Sequence, residues 1–325
     1  MNFSVLNEII LAIVLGIVQG VTEFLPISST AHQRLITALL ANNRDIGLAA
    51  SNFIQFGTLL AILWYFKDDL RIYFHRLFQI ITNSQERKYF FSNFKSWYQK
   101  SDKFRGNPEN IQSDITISQL IVGTIPILVL GYILRGFAES NRDLLNIANF
   151  LLAGSILMSF ADYRSRELLV EPSKDDTKEL TNFKFWEVFT IGLFQSLAAF
   201  PGISRSGATL SGALIFGKDR AKSVRFSFLL SIPALLALSV YDFIKLVKDL
   251  NEKGVYFLPN SNLWTSSEIN LSILSLLIGF VLSYIFGIVF LKWLLKYLSS
   301  NSFRYFIIYR VLLATLIMGI VLLSR

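Results

Sequence analysis

Polar and charged side chains that could bind a phosphate lie in a short stretch between two apolar runs. Ser204, Arg205, Ser206 and Gly207 come directly before the apolar run 210–216. Ionisable side chains within apolar segments of membrane proteins are rare and usually functional. Free backbone amides at a helix start, two hydroxyls and a guanidinium together favour anion binding. The alternative is a helix cap with an arginine that reaches a lipid headgroup, and the depth of Arg205 in the apolar segment favours the anion site.

A second polar stretch, near the start of the chain, could supply acid–base groups and a cation site. Gln19 and Glu23 are four residues apart and therefore share one helix face. Carboxylate and amide oxygens bind hard cations such as Mg²⁺ or Ca²⁺, with substrate phosphates completing the shell, but a hydrogen-bonded pair between helices fits this spacing equally well. Ser29 and His32 are three residues apart, so the imidazole could act on the hydroxyl as a base, or as an acid toward a leaving oxygen. Capping by the hydroxyls of residues 28–30 is the alternative here.

The two stretches are related by an internal repeat. A shift of 176 positions gives five identities in thirteen positions, against about one expected by chance. The first copy carries Glu23, Ser29 and His32 where the second carries an alanine, Arg205 and another alanine. One copy therefore supplies acid, base and hydroxyl, and the other supplies positive charge. The identical pairs are Gly16 with Gly192, Gln19 with Gln195, Phe24 with Phe200, Ile27 with Ile203 and Ser28 with Ser204.

Further polar residues of the apolar segments are candidates for lining the same site. The repeat gives Ser28 and Ser204 a shared expected role as turn or cap residues. Gln55 and Arg310 lie inside predicted spans and could help to line the site, although Arg310 lies early enough in its helix for its side chain to reach the membrane interface instead. The candidate lining residues are Ser28, Thr30, Gln55, Gln195 and Arg310.

The composition is typical of a polytopic membrane protein. Hydrophobic residues make up 53% of the chain, charged residues only 17%, and the mean hydropathy is +0.48. The chain has no cysteine, which excludes disulfides and thiolate metal sites. The net charge of +8 does not indicate a nucleic-acid partner, because the basic residues concentrate in the loops between apolar segments.

The apolar segments predict an all-α integral membrane protein with ten helices, six of them spanning and four paired in two re-entrant hairpins. Three spans follow each hairpin, so the second half must be inverted relative to the first, and such inverted-topology repeats form binding sites near the midplane of a single membrane domain. In the first half, residues 1–162, we expect a hairpin at 3–41, spans at 48–66, 115–134 and 144–162, and an extramembrane loop at 67–114. In the second half, residues 163–325, we expect a hairpin at 185–216 and spans at 224–241, 271–291 and 305–323.

The distribution of lysine and arginine predicts the orientation. The loops on one side carry 21 of these residues and those on the other side carry 7. Basic residues are retained in cytoplasmic loops, so the 21-charge side, with the loop 67–114, is expected in the cytoplasm and both termini outside.

Two motifs resemble those of the undecaprenyl pyrophosphate phosphatases of bacterial envelope synthesis, also known as bacitracin-resistance proteins. That family has an (E/Q)xxxE segment running into FLPxSSTxH, found here at 19–32, and PGxSRSxxT, found here at 201–209. The resemblance covers nearly the whole chain. It implies an enzyme of the bacterial cytoplasmic membrane that cleaves the lipid carrier's pyrophosphate to the monophosphate, with a divalent cation, at a site open to the periplasm. Gln19 is the family's less acidic variant, which leaves one carboxylate fewer for a metal.

The resemblance carries functional roles to seven positions: Glu23, Ser29, His32, Ser204, Arg205, Ser206 and Thr209. Arg205 and the 204–207 amides would hold the distal phosphate, and Glu23, with Gln19, would position the cation. Ser29 would be the nucleophile and His32 its acid–base partner, with water as the alternative nucleophile. The substrate would be a polyprenyl pyrophosphate whose tail lies between the halves. A transporter or flippase of the same lipid is the rival function, and the oligomeric state, including a homodimer, is left open.

Overall fold

The computed structural model describes residues 5–40, 46–99, 115–169, 183–253 and 271–323, and within these ranges every regular element is a helix. A 3₁₀ turn at Leu197–Ala199 continues the ninth helix. The helices are α1 (Val5–Thr22), α2 (Ser29–Leu40), α3 (Gly47–Tyr65), α4 (Lys67–Thr82), α5 (Ser84–Tyr98), α6 (Ile117–Ile133), α7 (Arg135–Ser140), α8 (Leu144–Leu169), α9 (Phe185–Ser196), α10 (Arg205–Ile215), α11 (Arg220–Lys253), α12 (Ile273–Leu298) and α13 (Arg304–Leu323).

The helices confirm an all-α membrane protein. Four of them, α8, α11, α12 and α13, contain stretches long and apolar enough to cross a membrane, while α1, α6 and α9 are apolar but shorter. The predicted spans 48–66 and 305–323 agree with α3 and α13 to within one residue at each end. The helices α8, α11 and α12 extend past their predicted ends. Hydropathy marks where a helix leaves the apolar region, whereas backbone hydrogen bonding continues into the polar residues beyond.

Ten of the helices match predicted membrane segments, and the described residues form three more. Two of these, α4 and α5, lie in the predicted loop 67–114, of which residues 100–114 are outside the described ranges. The third, α7, is a six-residue helix between α6 and α8. Hydropathy does not register such helices, because they are short or polar over much of their surface.

The turns of the two predicted hairpins share an unusual backbone conformation. Ser28 precedes α2 with φ of 71°, and Ser204 precedes α10 with φ of 76°. They are the only non-glycine residues with positive φ in the described part of the chain. Each caps its helix in the same way, since its hydroxyl accepts a hydrogen bond at 3.3 Å from the amide three residues on. A left-handed serine costs on the order of 1–3 kcal/mol, and such strain is typically found at functional sites.

Helices of the two halves cross at glycines, and the two crossings correspond. The helix α1 packs against α12, and α9 packs against α6. A Cβ atom added to Gly16 would lie 2.5 Å from the carbonyl oxygen of Gly279, and one added to Gly192 would lie 2.4 Å from that of Gly123. Small residues permit this backbone approach between membrane helices. Gly16 and Gly192 are aligned by the 176-residue shift. The first helix of each predicted half therefore packs, at an equivalent glycine, against a helix of the other half.

The buried hydrophobic residues of the described ranges form one large cluster and two smaller ones. The large cluster is rich in aromatic residues, with the ring of Phe24, in the first hairpin turn, 5.9 Å from that of Phe228 in α11. The buried carboxylate of Asp162 accepts hydrogen bonds from Arg166, Arg220 and the Phe303 amide. This group ties the start of α11 and the residue before α13 to α8.

Candidate functional site

The carboxylate of Glu23 is the centre of a buried polar cluster between the two hairpin turns. Its Oε2 accepts hydrogen bonds from Gln19 Nε2 at 2.8 Å and from the Ser29 hydroxyl at 2.9 Å. Its Oε1 accepts from Gln55 Nε2 at 2.9 Å and from Arg205 Nη2 at 2.7 Å. Four donors therefore surround one buried negative charge, which is the arrangement that makes burial of a carboxylate tolerable. Ser29 and Arg205 are the first residues of α2 and α10, so Glu23 lies between two helix N-termini.

A chain of amides extends from Glu23 to the side of the cluster. Gln33 Nε2 donates to Gln19 Oε1 at 2.8 Å, and Gln33 Oε1 accepts from the hydroxyl of Ser51. The ionised carboxylate fixes every direction in this chain, because it can only accept. Gln19 must turn its NH₂ group toward Glu23, its carbonyl oxygen must then face Gln33, and the Gln33 carbonyl must face Ser51. Gln19 is consequently held as a donor to Glu23.

Arg205 has spare donor capacity. Its Nη2 forms the ion pair with Glu23, while its buried Nε has no hydrogen-bond partner. An unpartnered N–H on a buried guanidinium is costly unless a ligand completes it. The hydroxyls of Ser204 and Ser206 lie 3.2 Å apart at the same helix start. The Thr209 hydroxyl, in contrast, donates to the Arg205 carbonyl at 2.8 Å and is bonded within its own helix.

Ser29 and His32 do not form the pair that their spacing suggests. The Ser29 hydroxyl donates to Glu23, whereas the imidazole of His32 lies between the Ser28 carbonyl, 2.7 Å from Nδ1, and the Tyr309 hydroxyl, 2.6 Å from Nε2. A carbonyl can only accept, so Nδ1 carries the proton and Nε2 of the neutral ring accepts from Tyr309. The rings of His32 and Tyr309 are also stacked at 5.6 Å. Glu23 is therefore the base nearest to the Ser29 proton.

Arg310 joins the two hairpin turns and does not take the alternative position at the membrane interface. Its side chain is fully buried, and its guanidinium donates to the carbonyls of Pro26 at 3.1 Å and Gly202 at 3.1 Å, one in each turn. Two more bonds reach α8, at the Leu151 carbonyl and the Ser155 hydroxyl. Reaching the interface would leave these carbonyls short of donors in an apolar interior. Because it donates to a carbonyl in each turn, Arg310 fixes the distance between the two turns.

The remaining candidate residues take different positions. Gln55 contacts Glu23 directly, as described above, and Thr30 is a partly exposed residue of the first turn of α2. Gln195 is fully buried, and neither its amide nitrogen nor its amide oxygen has a partner. The repeat explains the difference from Gln19, because Ala199 stands where the aligned residue in the first half is Glu23. The second half therefore contains the equivalent amide, Gln195, but not the aligned carboxylate to which that amide could donate.

Three residues that bond to the cluster or to His32 are not indicated by the sequence. Gln33 stands between His32 and Arg34, and Ser51 stands beside Asn52, so nothing in the sequence singles out either side chain for this hydrogen-bonded chain. Tyr309 lies 277 positions from the histidine that it contacts. The only available signal for it was its position next to Arg310.

The oxygen atoms of the cluster are of the kind that binds a hard cation, but they are too few to complete its coordination without further ligands. Within the described ranges, no group of three histidine, cysteine or acidic side chains could hold a metal ion. Glu23 is the single carboxylate, with hydroxyl and amide groups around it. Mg²⁺ commonly binds through one or two carboxylates together with substrate phosphates and water. A cation that arrives with a phosphorylated substrate would have Glu23 as its protein ligand, and it would have to replace one of the four donors on that carboxylate.

Comparisons with known proteins agree with one another over nearly the full chain. The family model described as "Bacitracin resistance protein BacA" matches residues 12–316. An undecaprenyl-diphosphatase of Prochlorococcus marinus (strain MIT 9215) is 34% identical over 307 residues, 94% of this chain and 97% of the relative. Proteins of the same name are 35% identical in Chloroherpeton thalassium (strain ATCC 35110 / GB-78), over 98% of both chains, and 32% identical in Paenarthrobacter aurescens (strain TC1), over 93% of both.

Proposed function

The chain belongs to the bacitracin resistance protein BacA family, and from this premise we propose that it hydrolyses undecaprenyl diphosphate to the monophosphate and orthophosphate. It is an integral membrane phosphatase of the bacterial inner membrane that recycles the lipid carrier of cell-wall synthesis and confers bacitracin resistance. The observation that carries the proposal is the cluster in which Glu23 joins a hydroxyl, Ser29, to a cation, Arg205, across the two hairpin turns.

The geometry supports Ser29 as nucleophile and Glu23 as its base. The hydroxyl proton already lies on the hydrogen bond to Glu23 Oε2, so it can move to the carboxylate as Oγ attacks the distal phosphorus. The bond from that phosphorus to the bridging oxygen breaks, the lipid monophosphate leaves, and the phosphoryl group remains on Ser29. Glu23 gives up this proton to the departing lipid phosphate and is ionised again. Water then attacks the phosphoserine. Glu23 takes a proton from this water and delivers it to Ser29 Oγ as the phosphorus–Oγ bond breaks, which releases orthophosphate and restores the hydroxyl.

Arg205 and the α10 helix start are proposed to hold the distal phosphate. The unpartnered Nε and the planar guanidinium can bind two phosphate oxygens at once, and the hydroxyls of Ser204 and Ser206 lie beside them. When the phosphate binds, it competes with Glu23 for Arg205. The Glu23 Oε1 atom released in this exchange becomes available to a cation, while Oε2 keeps its hydrogen bond from the Ser29 hydroxyl.

A divalent cation, Mg²⁺ or Ca²⁺, would supply charge neutralisation for the diphosphate. Glu23 would hold it, and Gln19 would contribute indirectly, through its hydrogen bond to that carboxylate. His32, held by Tyr309, is assigned to orientation of the α2 start and to proton exchange with the leaving group.

The proposed topology has six spans and two re-entrant hairpins in inverted repeats, with the site open to the periplasm. The corresponding Gly16 and Gly192 crossings and the left-handed caps Ser28 and Ser204 support the repeat. Single cysteines test the topology because the chain has none of its own. In sealed vesicles, Ser84→Cys and Ser300→Cys should react with an impermeant reagent from the cytoplasmic side, and Ser140→Cys from the opposite side. Reaction of Ser84→Cys and Ser140→Cys from one side would contradict it.

Phosphate release separates hydrolysis from transport of the same lipid. Purified protein in detergent is given undecaprenyl diphosphate, with and without chelator, and orthophosphate is measured. Release that Glu23→Gln abolishes is expected. A transporter would bind the lipid and release no phosphate, which would refute the proposed activity.

A further inference from the structure

The helical hairpin α4–α5 exposes an apolar stripe that the bundle does not cover. In α4, Phe74, Phe78 and Ile81 are 67%, 64% and 63% exposed. Their spacing of four and three residues places them in one line along the helix. Tyr73 and Leu77 continue the same apolar face toward the core, where Tyr73 is buried. The stripe is thus the uncovered edge of a face whose other edge packs against the protein.

The second helix of the hairpin carries aromatic and basic residues on one exposed face. Phe91 and Tyr98 are 60% and 50% exposed and lie seven residues apart, which is two helical turns. Lys95 lies four residues after Phe91, and Lys88 three residues before it, so both lysines lie on this face. Aromatic rings interleaved with lysines are typical of helices at a membrane–water interface.

The hairpin is fixed at the level where the spanning helices end. Its buried side chains bond to residues two positions before α6 and α9. The Tyr73 hydroxyl donates to the Ile115 carbonyl at 3.0 Å, and Trp97 Nε1 donates to the Phe183 carbonyl at 2.9 Å. The helix α4 follows α3 after a single residue. At this junction the ring of Trp64 lies 5.4 Å from Lys67 Nζ and 4.9 Å from Lys292 Nζ. Tryptophan beside lysines marks the interface, so α4 begins at the headgroup level.

We propose that the α4–α5 hairpin lies on the adjacent bilayer surface, with the stripe Phe74, Phe78 and Ile81 inserted among acyl chains and its basic residues bound to anionic headgroups. Residues 67–98 carry six lysines and arginines against three acidic residues, so the hairpin is complementary in charge to an anionic lipid surface. Arg71 directly borders the stripe on the helix surface and can extend to a headgroup while its stem stays among apolar atoms. Continuity with the Trp64 junction favours lipid over a soluble protein partner.

Fluorophores on single cysteines test the insertion. The substitutions Phe78→Cys and Ile81→Cys carry an environment-sensitive label on the stripe. His75→Cys and Gln79→Cys carry it on the adjacent exposed polar face, about 100° around the helix from Phe74 and Phe78 respectively, as matched controls. Ile285→Cys in α12, on an exposed apolar position of a spanning helix, gives the reference for full lipid contact. The protein is placed in nanodiscs containing phosphatidylglycerol, one copy per disc, with a nitroxide quencher attached to the acyl chains.

The stripe labels should be quenched at least half as strongly as the label at Ile285, and the polar-face labels several-fold less. Equal quenching on the two faces would overturn the proposal. Stripe labels shielded from water but not quenched by lipid would also overturn it, because they would indicate a protein contact. In discs of phosphatidylcholine alone, or with Arg71→Glu, quenching of the stripe should fall. If quenching of the stripe labels is unchanged both in phosphatidylcholine discs and in the Arg71→Glu variant, binding to anionic headgroups would be refuted. Phosphate release by these variants reports that they are folded.

Discussion

Arg205 Nη2 lies 2.7 Å from Glu23 Oε1, an ion pair between residues 182 positions apart in the chain. Each residue belongs to a different hairpin turn, and the aligned position in the other turn carries a different residue: Ala199 for Glu23, and Ser29 for Arg205. These differences between the aligned turns put the hydroxyl and the carboxylate in one turn and the guanidinium in the other, as the proposed site requires.

Replacing Arg205 tests the cradle. Arg205→Lys keeps the charge and can still pair with Glu23, but it cannot bind two phosphate oxygens through one planar group. Loss of a preorganised donor of this kind lowers turnover by about 10²–10³-fold. We expect phosphate release by Arg205→Lys to fall nearly as far as that of Arg205→Ala, with both proteins folded. Near-normal turnover of the lysine variant would mean that the positive charge alone is used.

Ser29 and Ser28 are adjacent hydroxyls with separable roles. Ser29→Ala removes the proposed nucleophile and should abolish phosphate release without unfolding the protein. Ser28→Ala removes a cap, which costs about 1 kcal/mol, so its melting temperature should fall while activity is retained. A phosphoserine trapped by acid quench and located by mass spectrometry would identify Ser29 directly. Substantial release by Ser29→Ala would indicate that water attacks, with Glu23 as its base.

Gln19 and Gln195 are equivalent in sequence and opposite in environment. Gln19→Leu removes a donor from a buried carboxylate and leaves Gln33 without an acceptor, so stability and phosphate release should both decrease. Gln195→Leu removes a buried amide that has no partner, and an apolar group of similar size should leave the protein as stable or more stable. Melting temperatures of the two variants in one detergent make the comparison. A larger loss from Gln195→Leu would show that this amide binds something.

The parts of the fold that sequence predicts are those that hydropathy and the repeat encode. Apolar runs located α3 and α13 to within a residue, and the alignment of Ser28 with Ser204 predicted their common capping role, which the structure confirms. Local patterns were sufficient here, because a cap bonds to amides three residues away.

The partners of the site residues depended on contacts between distant segments, and sequence could not supply them. The spacing of Ser29 and His32 predicts a hydrogen-bonded pair. In the structure the His32 imidazole bonds to the Tyr309 hydroxyl in α13, and the Ser29 hydroxyl donates to Glu23. The direction of the Arg310 side chain was likewise decided by two carbonyls in turns more than one hundred residues away. Intrinsic preferences of a long, flexible arginine allow both the interface and the interior.

Gly154 tests whether Arg310 positions the site by holding the two turns together. A Cβ atom added to Gly154 would lie 2.3 Å from Arg310 Nη2 and 2.9 Å from the Ile203 carbonyl oxygen. Gly154→Ala should therefore displace the guanidinium from its carbonyl acceptors in both turns. A buried cation that loses partners destabilises a protein by about 2–4 kcal/mol, and the turns that carry Glu23 and Arg205 would separate.

The control for this variant lies in the helix of Arg310 itself. Gly319 of α13 has no heavy atom within 4 Å of an added Cβ, so Gly319→Ala should leave activity unchanged and could raise stability slightly, because alanine favours helix by about 1 kcal/mol over glycine. Melting temperature, phosphate release and KM are measured for both variants and for Arg310→Lys. A positioning role predicts that Gly154→Ala and Arg310→Lys lose kcat in the protein that remains folded, with KM changed less. If Gly154→Ala melts earlier but turns over normally when folded, Arg310 supports the fold and the turns keep their spacing without it.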